Sequence, residues 1–591
     1  MLERSRPFFE ITTLLRRERP PMKRRCFLLY GPLFALICSM AAGTARAADV
    51  KPEISKASAE DIEAWRKLKF GLFIHWGPVS LEGTEIGWSR RGARRGRGAD
   101  FLPTGGVPVD VYDNLYKTFN PTKFDPDEWV QIAKDAGMKY MVLTTKHHDG
   151  FCMFDSALTD YKITSPESPY GRDIVKQLSD ACHKADFIWG VYYSQPDWHH
   201  PDYHNGPERH KKYIEYLHGQ VREVLTNYGK TRMLFFDGLG GKSDDWDAPR
   251  LINMCRELQP GILVNNRAGV SADYDTPEQR IGGMQIDRPW ETCMTIGRQW
   301  AWKPNDDMKS FKQCIQTLVR VVGGDGSLLF NVGPMPDGRI EPRQVERLRE
   351  MGEWLAKYGE SIYDTRGGPF RTSPWGVATY RDNIVYLHIL DAGRSAITLP
   401  PIEKKIVSSK VLTGGSATVE QTDESITITL DQNARNDVDV IVMLTLDGPA
   451  AEANPGTLAS DSVAAGKKAT ASSVFRKQVR AYGPQFAVDD DPATRWASDQ
   501  KDNQWLEVDF GESVVVAGVL IQEAYGQRVR RFTIDVKADG QWKTVHEGGK
   551  IGEELRVDFA PITAQAIRLN LHEATEAPTL PEFQVFAAKK K

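Results

Sequence analysis

Between residues 59 and 358, short apolar runs alternate with stretches whose apolar positions recur every three or four residues. The runs fall at residues 71–76, 140–145, 188–193, 233–237, 262–266 and 328–332. The helical patterns between them include residues 126–137, 173–185, 210–228 and 249–258. Strand–helix alternation sustained over about 300 residues predicts a parallel sheet, and the size suits a (β/α)8-type barrel over residues 48–366. Six runs read as strands. A seventh is expected at residues 285–291, and the eighth carries no clear signal.

After Gly367-Gly368-Pro369 the apolar period drops to two. Runs at residues 377–380, 384–390, 410–412, 425–430 and 438–444 predict a small β-sandwich over 367–447. A stretch rich in Ala, Glu, Pro, Gly and Ser at 448–466 reads as a linker. Residues 467–591 are again all-β in pattern. The expected architecture is therefore multidomain, with a barrel, a β-sandwich and a second β-sandwich at the C-terminus.

The barrel runs end on polar residues, and barrel chemistry sits at the carboxyl ends of strands. Residues 233–236 lead into Asp237-Gly238, and other runs lead into His75-Trp76-Gly77, His147-His148-Asp149, Tyr192-Tyr193-Ser194 and Asn266-Arg267. One aspartate after a strand would mean little, since many only cap the next helix. The set of strand-end polar groups is the stronger signal. Gly238 is read as leaving room for a substrate to approach the acid.

Composition narrows the picture. The 591 residues are 26% charged with a net charge of −3, which gives no concentrated basic face for nucleic acid. Arg90 to Arg97, interleaved with glycine, reads as a loop or as an anion-contacting rim. At the N-terminus, Lys23-Arg24-Arg25 precede an apolar stretch at 26–42, then Ala45-Arg46-Ala47. This is the pattern of a secretory signal over residues 1–47, with Met22 a better start than Met1. The expected location is secreted or periplasmic, with no membrane attachment after cleavage. Of seven cysteines, Cys26 and Cys38 leave with the signal, and the other five read as buried free thiols.

Taken together, Phe73-Ile74-His75-Trp76-Gly77, Lys146-His147-His148-Asp149-Gly150-Phe151, Phe236-Asp237-Gly238, Trp290-Glu291-Thr292-Cys293 and Leu329-Phe330-Asn331-Val332-Gly333-Pro334 resemble the α-L-fucosidases of glycoside hydrolase family 29. The resemblance implies a catalytic barrel followed by a β-sandwich, with Asp237 as nucleophile. Retaining glycoside cleavage also needs a second carboxyl group that gives and then takes a proton. Thr276-Pro277-Glu278-Gln279 aligns with the motif that carries it in part of the family, which favours Glu278; Glu291 is the main rival and Glu85 a third. The resemblance extends to sugar contacts by His75, His147, His148, Arg267 and a tyrosine of Tyr192-Tyr193, taken as Tyr192. Glu85, Trp88 and Trp300 complete the expected substrate-binding set, although Ile86-Gly87 separates Glu85 from Trp88 where the family often has Glu and Trp adjacent.

His147-His148-Asp149 and Asp197-Trp198-His199-His200 also look like metal ligands. Neighbours on a strand face opposite ways, so His147 and His148 are not expected to share an ion, and no catalytic metal or cofactor is expected. Asn331 and Asp337 read as turn and cap residues. The C-terminal segment resembles a discoidin or coagulation-factor type C domain. There Asp489, Asp491 and Thr494 offer hard oxygens for a structural calcium, or form a plain Asx-rich turn, and Trp496 and Trp505 read as core. The function this implies is an exo-acting, retaining α-L-fucosidase removing terminal fucose from a fucosylated oligosaccharide or glycoconjugate. The alternatives are a related exo-glycosidase acting on an α-L-galactoside or modified fucan, and a non-catalytic glycan-binding protein.

Overall fold

Seven buried strands form one parallel sheet: β1 (Phe70–Ile74), β2 (Tyr140–Lys146), β3 (Ile188–Tyr193), β4 (Met233–Phe236), β5 (Leu263–Val264), β6 (Glu291–Thr295) and β7 (Ser327–Val332). The computed structural model describes residues 53–91, 106–281, 284–373, 375–391, 393–455, 462–490, 494–524 and 528–588. The N-terminal segment read as a signal, and residues 92–97 of the basic cluster, lie outside them. The strand order is β5-β4-β3-β2-β1-β7-β6. Strands covered on both faces need unbroken apolar runs, which is why the periodicity was readable.

The missing eighth stave is an irregular segment. Tyr274 bridges Asn265 beyond β5, while Asp275 bridges Trp290 and Glu278 bridges Cys293 of β6. The Gln279 N–H donates to the Cys293 carbonyl (3.0 Å), and the Glu291 N–H to the Asp275 carbonyl (2.9 Å). Residues 274–278 thus close the ring between β5 and β6. Proline 277 and the isolated bridges give this stave no apolar run and no alternation, so periodicity could not find it.

The expected strand at 285–291 is displaced: β6 begins, rather than ends, at Glu291. That shift moves Glu291 from the top of the barrel to the bottom. There Tyr140, the first residue of β2, donates its hydroxyl to Glu291. The Tyr140 ring lies across Gly71 of β1, where an added Cβ would fall 2.3 Å from it. Helices Pro126–Asp135, Ile174–Lys184, Pro207–Asn227, Ala248–Leu258, Phe311–Gly323 and Pro342–Tyr358 surround the barrel. Asp125, Asp173 and Ser310 cap three of them by accepting backbone N–H groups.

A β-sandwich follows. Its larger sheet runs β12 (Ile406–Val411), β15 (Val440–Leu446), β10 (Ile384–Ile389), β9 (Gly376–Arg381), β8 (Arg366–Gly367). The smaller runs β11 (Ala396–Leu399), β14 (Ile426–Leu430), β13 (Ala417–Gln421). Strands β8, β11 and β13 had not been expected. The sandwich packs on helix Phe311–Gly323, where a Cβ at Gly323 would lie 2.4 Å from Val377. Below that contact the buried Asp325 accepts from Arg66, from Arg366 Nη2 (2.8 Å) and from the Gly367 N–H (3.0 Å). Lys69 Nζ stands 3.7 Å away.

The C-terminal segment is an antiparallel sandwich built on the long pair Gln504–Gln522 and Glu554–Ala574. Trp496 is fully buried in its core. Trp505 is not: it is half-buried, with the Arg568 guanidinium 5.0 Å from its ring centre. Thr494 Oγ1 donates to Asp489 Oδ2 (2.9 Å), and Asp491 lies outside the described residues. Among the described residues all five cysteines are free and buried, and no helix is long and apolar enough to cross a membrane.

Burial alone would raise the Asp325 carboxyl, but the surrounding cations hold it below the ordinary carboxylate range. Asp325 also has a left-handed backbone (φ 67°), which asparagine tolerates. Asp325→Asn therefore removes the charge, turns one accepting oxygen into a donor, and leaves three cations facing one another. It is expected to destabilise the protein by about 3–5 kcal/mol, read as a fall in thermal midpoint. The wild type should lose the same stabilisation as pH drops through the depressed carboxyl pKa.

Candidate active site

A cavity of about 670 Å³ opens at the carboxyl ends of the strands. Asp237, directly after β4, reaches it with both oxygens engaged. Tyr192 Oη donates to Oδ2 (2.9 Å) and Arg267 Nη1 to Oδ1 (3.2 Å). The same Arg267 nitrogen lies 2.8 Å from Glu278 Oε2. Two carboxylates from different staves thus share one guanidinium nitrogen, and their facing oxygens are held within the sum of those two distances.

Arg267 is fixed from behind. Its Nε donates to Thr276 Oγ1 (3.0 Å) and its Nη2 to the Thr276 carbonyl (3.2 Å). Burial opposes its charge, but the neighbouring carboxylates, Asp237 first, raise its pKa further. The backbone here approaches Gly238 so closely that a Cβ would fall 2.5 Å from the Arg267 carbonyl oxygen. The glycine after Asp237 therefore makes room for Arg267, not for substrate as expected.

His75 and His148 are each held by a hydrogen bond at Nδ1. Asn331 Nδ2 donates to the Trp300 carbonyl (2.7 Å), so Oδ1 faces His75 Nδ1 at 2.6 Å and accepts its proton. That tautomer leaves His75 Nε2 as an acceptor for a hydroxyl. Burial lowers the His75 pKa to about 4 despite the Asn331 contact, so the ring is neutral near pH 7. The Ser194 hydroxyl donates to the Pro196 carbonyl (2.7 Å) and so accepts from His148 Nδ1 (2.6 Å). His148 Nε2 then points to Asp237 Oδ2 at 3.5 Å. His147 stacks on Tyr192 with ring centres 5.5 Å apart, and burial lowers its pKa well below the usual histidine value.

The aromatic wall consists of Trp88, Trp300, Phe73 and Phe235. Trp300 lies against the His75 ring at 4.7 Å, and Trp88 meets His148 edge-on at 5.6 Å. Tyr193 points the other way and donates to Gln220 (2.8 Å), so Tyr192 is the member of the pair that borders the cavity.

Three expectations need correction. Glu85 does not border the cavity. It lies beneath, where its carboxylate accepts from the Trp300 (2.9 Å), Ala301 (3.2 Å) and Ile86 (3.1 Å) N–H groups, and burial raises its pKa to about 7. Glu291 lies at the barrel floor and does not border the cavity either; burial lifts its pKa to about 8. His147 and His148 do not point apart, because both lie past the end of β2, with ring centres 4.2 Å from one another. With Asp237 they bring donor atoms within 4.8 Å of one another. A guanidinium 3.2 Å from the same aspartate opposes a further cation there. His199 stacks on Tyr161 at 4.0 Å, and neither it nor His200 borders the cavity.

A family profile described as Alpha-L-fucosidase matches residues 37–360, more than half of the chain. The chain belongs to the α-L-fucosidase family of glycoside hydrolases. A second profile, the F5/8 type C domain, matches residues 468–581. The plasma alpha-L-fucosidase of Rattus norvegicus is 32% identical over 361 residues, 57% of this chain and 78% of that relative. Alpha-L-fucosidase isoenzyme 1 from Paenibacillus thiaminolyticus is 34% identical with a TM-score of 0.59, over 66% of this chain and 99% of that one. A GH29 alpha-L-fucosidase from Bacteroides thetaiotaomicron, trapped as a covalent intermediate, is 26% identical with a TM-score of 0.59, over 67% of this chain and 98% of that one.

Within this fucosidase-family chain, sequence reasoning missed Asn331, Ser194, Thr276 and Phe235. A polar residue inside a buried apolar run was the available sign for Asn331. Arg280 and Arg476 also border the cavity, and nothing in their local sequence marks them.

Glu291→Gln separates the two acids. Wild-type stability gained from the protonated Glu291 is present at pH 4.5 and lost as pH rises to about 8. The glutamine variant should show a shallower fall of thermal midpoint across that window and keep turnover within about threefold, since the residue lies outside the cavity. A loss of turnover on the scale expected of a general acid, about 10²–10⁴-fold, would count against Glu278.

Proposed function

We propose that the protein is an exo-acting α-L-fucosidase that cleaves terminal fucosides by double displacement with retention. One observation carries this reading: Asp237 and Glu278 flank a single guanidinium nitrogen in one cavity, at 3.2 and 2.8 Å. Retaining glycosidases hold their two carboxyl groups about 5–5.5 Å apart, and the sum of those distances is compatible with that spacing.

In this reading, Asp237 attacks the anomeric carbon and Glu278 protonates the departing glycosidic oxygen. A fucosyl-enzyme ester forms and the aglycone leaves. Glu278, now a carboxylate, takes a proton from water, which attacks the same carbon and frees Asp237. His75 Nε2, His147 and His148 meet sugar hydroxyls, while Phe73, Phe235 and Trp300 receive the apolar methyl-bearing face. Glu85 acts through Trp300, by holding its backbone. Exo-action is supported by buried residues at the inner end, Phe73, Phe235 and Cys293, against the exposed Glu278 at the mouth. The covalent intermediate reported for the Bacteroides thetaiotaomicron relative agrees with double displacement. The leader at residues 1–47 supports export, where fucosylated oligosaccharides and glycoconjugates would be met.

Asp237→Ala and Glu278→Ala are tested with 4-nitrophenyl α-L-fucoside. Asp237→Ala should lose nearly all turnover, with partial restoration by azide. Glu278→Ala should lose about 10²–10⁴-fold on a sugar aglycone and less on the nitrophenyl leaving group, which needs little protonation. Full activity in Asp237→Ala would remove it as nucleophile.

A further inference from the structure

Arg476 lies far along the chain from the barrel, in the C-terminal domain, yet it borders the same cavity as Asp237. Its backbone is left-handed (φ 48°, ψ 26°), and Lys477 after it is too (φ 57°). Side chains with a Cβ rarely adopt that conformation even singly, and strained positions of this kind cluster at binding sites. The loop is latched to hold it. The Arg476 N–H donates to Asp499 Oδ1 (3.0 Å), the Asp499 N–H donates to Ser473 Oγ (3.0 Å), and the Lys477 N–H donates to the Val474 carbonyl (2.8 Å).

The Arg476 guanidinium lies 5.0 Å from the centre of the Phe475 ring. Phe475 meets Tyr482 edge-on at 5.6 Å, and Arg280 of the barrel donates to Tyr482 Oη (3.2 Å). One connected cluster thus carries two cations to the cavity from two domains. Both arginines are exposed, and among the described residues no carboxylate pairs with either. Arg267, deeper in, is by contrast occupied by both Asp237 and Glu278. Arg280 stands two residues beyond Glu278, and a proton donor faces the leaving group. The two free cations therefore lie on the leaving-group side.

We propose that Arg280 and Arg476 form an anion subsite for the aglycone, so that preferred substrates carry a carboxylate or a sulfate on the sugar next to fucose. A guanidinium fork matches either anion, and two cations lining a cleft raise the local concentration of an anionic substrate. The proposal rests on the fucosidase reading of the cavity and adds a substrate class to it. It also gives the C-terminal domain a part in substrate selection at the catalytic cavity itself.

The test uses the full chain and three fucosyl disaccharides that differ only in the aglycone: galactose, galactose 6-sulfate and galacturonate. Wild type should show a higher kcat/KM on one or both anionic substrates than on the neutral one, and the two arms distinguish sulfate from carboxylate. Arg476→Gly suits the left-handed backbone, so it removes the cation without added strain. It should lower the anionic-to-neutral ratio about tenfold, as loss of one charged hydrogen bond does. Arg280→Ala should act similarly, Arg476→Lys should restore part of the ratio, and added salt should compress it. Titration calorimetry with galactose 6-sulfate and galacturonate gives a readout independent of turnover: wild type binds, and Arg476→Gly binds more weakly. Absence of turnover on every fucoside together with this binding difference would overturn the catalytic reading and keep the anion site. A wild-type ratio near one, unmoved by either variant, or equal binding to both proteins, would overturn the anion site.

Discussion

The contact of Arg267 Nη1 with both Asp237 and Glu278 organises the cavity. A single nitrogen 3.2 Å from one carboxylate and 2.8 Å from the other ties two staves of the barrel together at the cavity. Two carboxylates brought this close repel, and an intervening cation offsets that repulsion. The guanidinium in turn depends on Thr276, which takes two of its remaining donors, and on Gly238, which lets the backbone at residue 267 come near. Each requirement is local, and all of them act on the distance between the two acids.

That dependence explains which parts of the site could be read from sequence. Residues at the ends of long buried runs were legible, because a parallel strand covered on both faces has no polar interior to confuse its end. Asp237, His75 and Arg267 fall in that class. Glu291 was misplaced because β6 is short and starts where the run was thought to stop; one strand length carries a residue from one end of the barrel to the other. Within the Tyr192-Tyr193 pair, alternation gives two faces but not which one is inward. His147 and His148 escaped alternation altogether, since the strand had already ended. Asn331 was hidden by the opposite error, a polar residue in β7 read as a turn. Its function lies in two hydrogen bonds, to His75 and to the Trp300 backbone, that join segments far apart in sequence.

The stave carrying Glu278 is held by bridges rather than by a full ladder. Thr276 and Glu278 are two residues apart, so they share one face of this stave, and both meet Arg267. Irregular backbone is tolerated because neighbouring groups supply what the ladder lacks. Gln279 bonds to the β6 backbone, and Arg280 bonds to Tyr482 of the C-terminal domain. The domain that the sequence presents as an appendage thus braces the barrel next to its less regular acid.

Charge along the cavity follows from the same arrangement. Around Arg267, one half-buried cation faces Asp237 on the inner side and Glu278 toward the mouth, so these three groups largely offset one another. Toward the mouth, Arg280 and Arg476 add positive charge, and among the described residues neither guanidinium is paired with a carboxylate. Charges exposed to solvent act weakly one at a time, but two on the wall of a cleft act together on whatever lies between them. A neutral ring bound deep and an anionic group held at the rim is the distribution that such a field favours. It arises only because a loop from the C-terminal domain, with two successive residues in the left-handed region, reaches the mouth of the barrel.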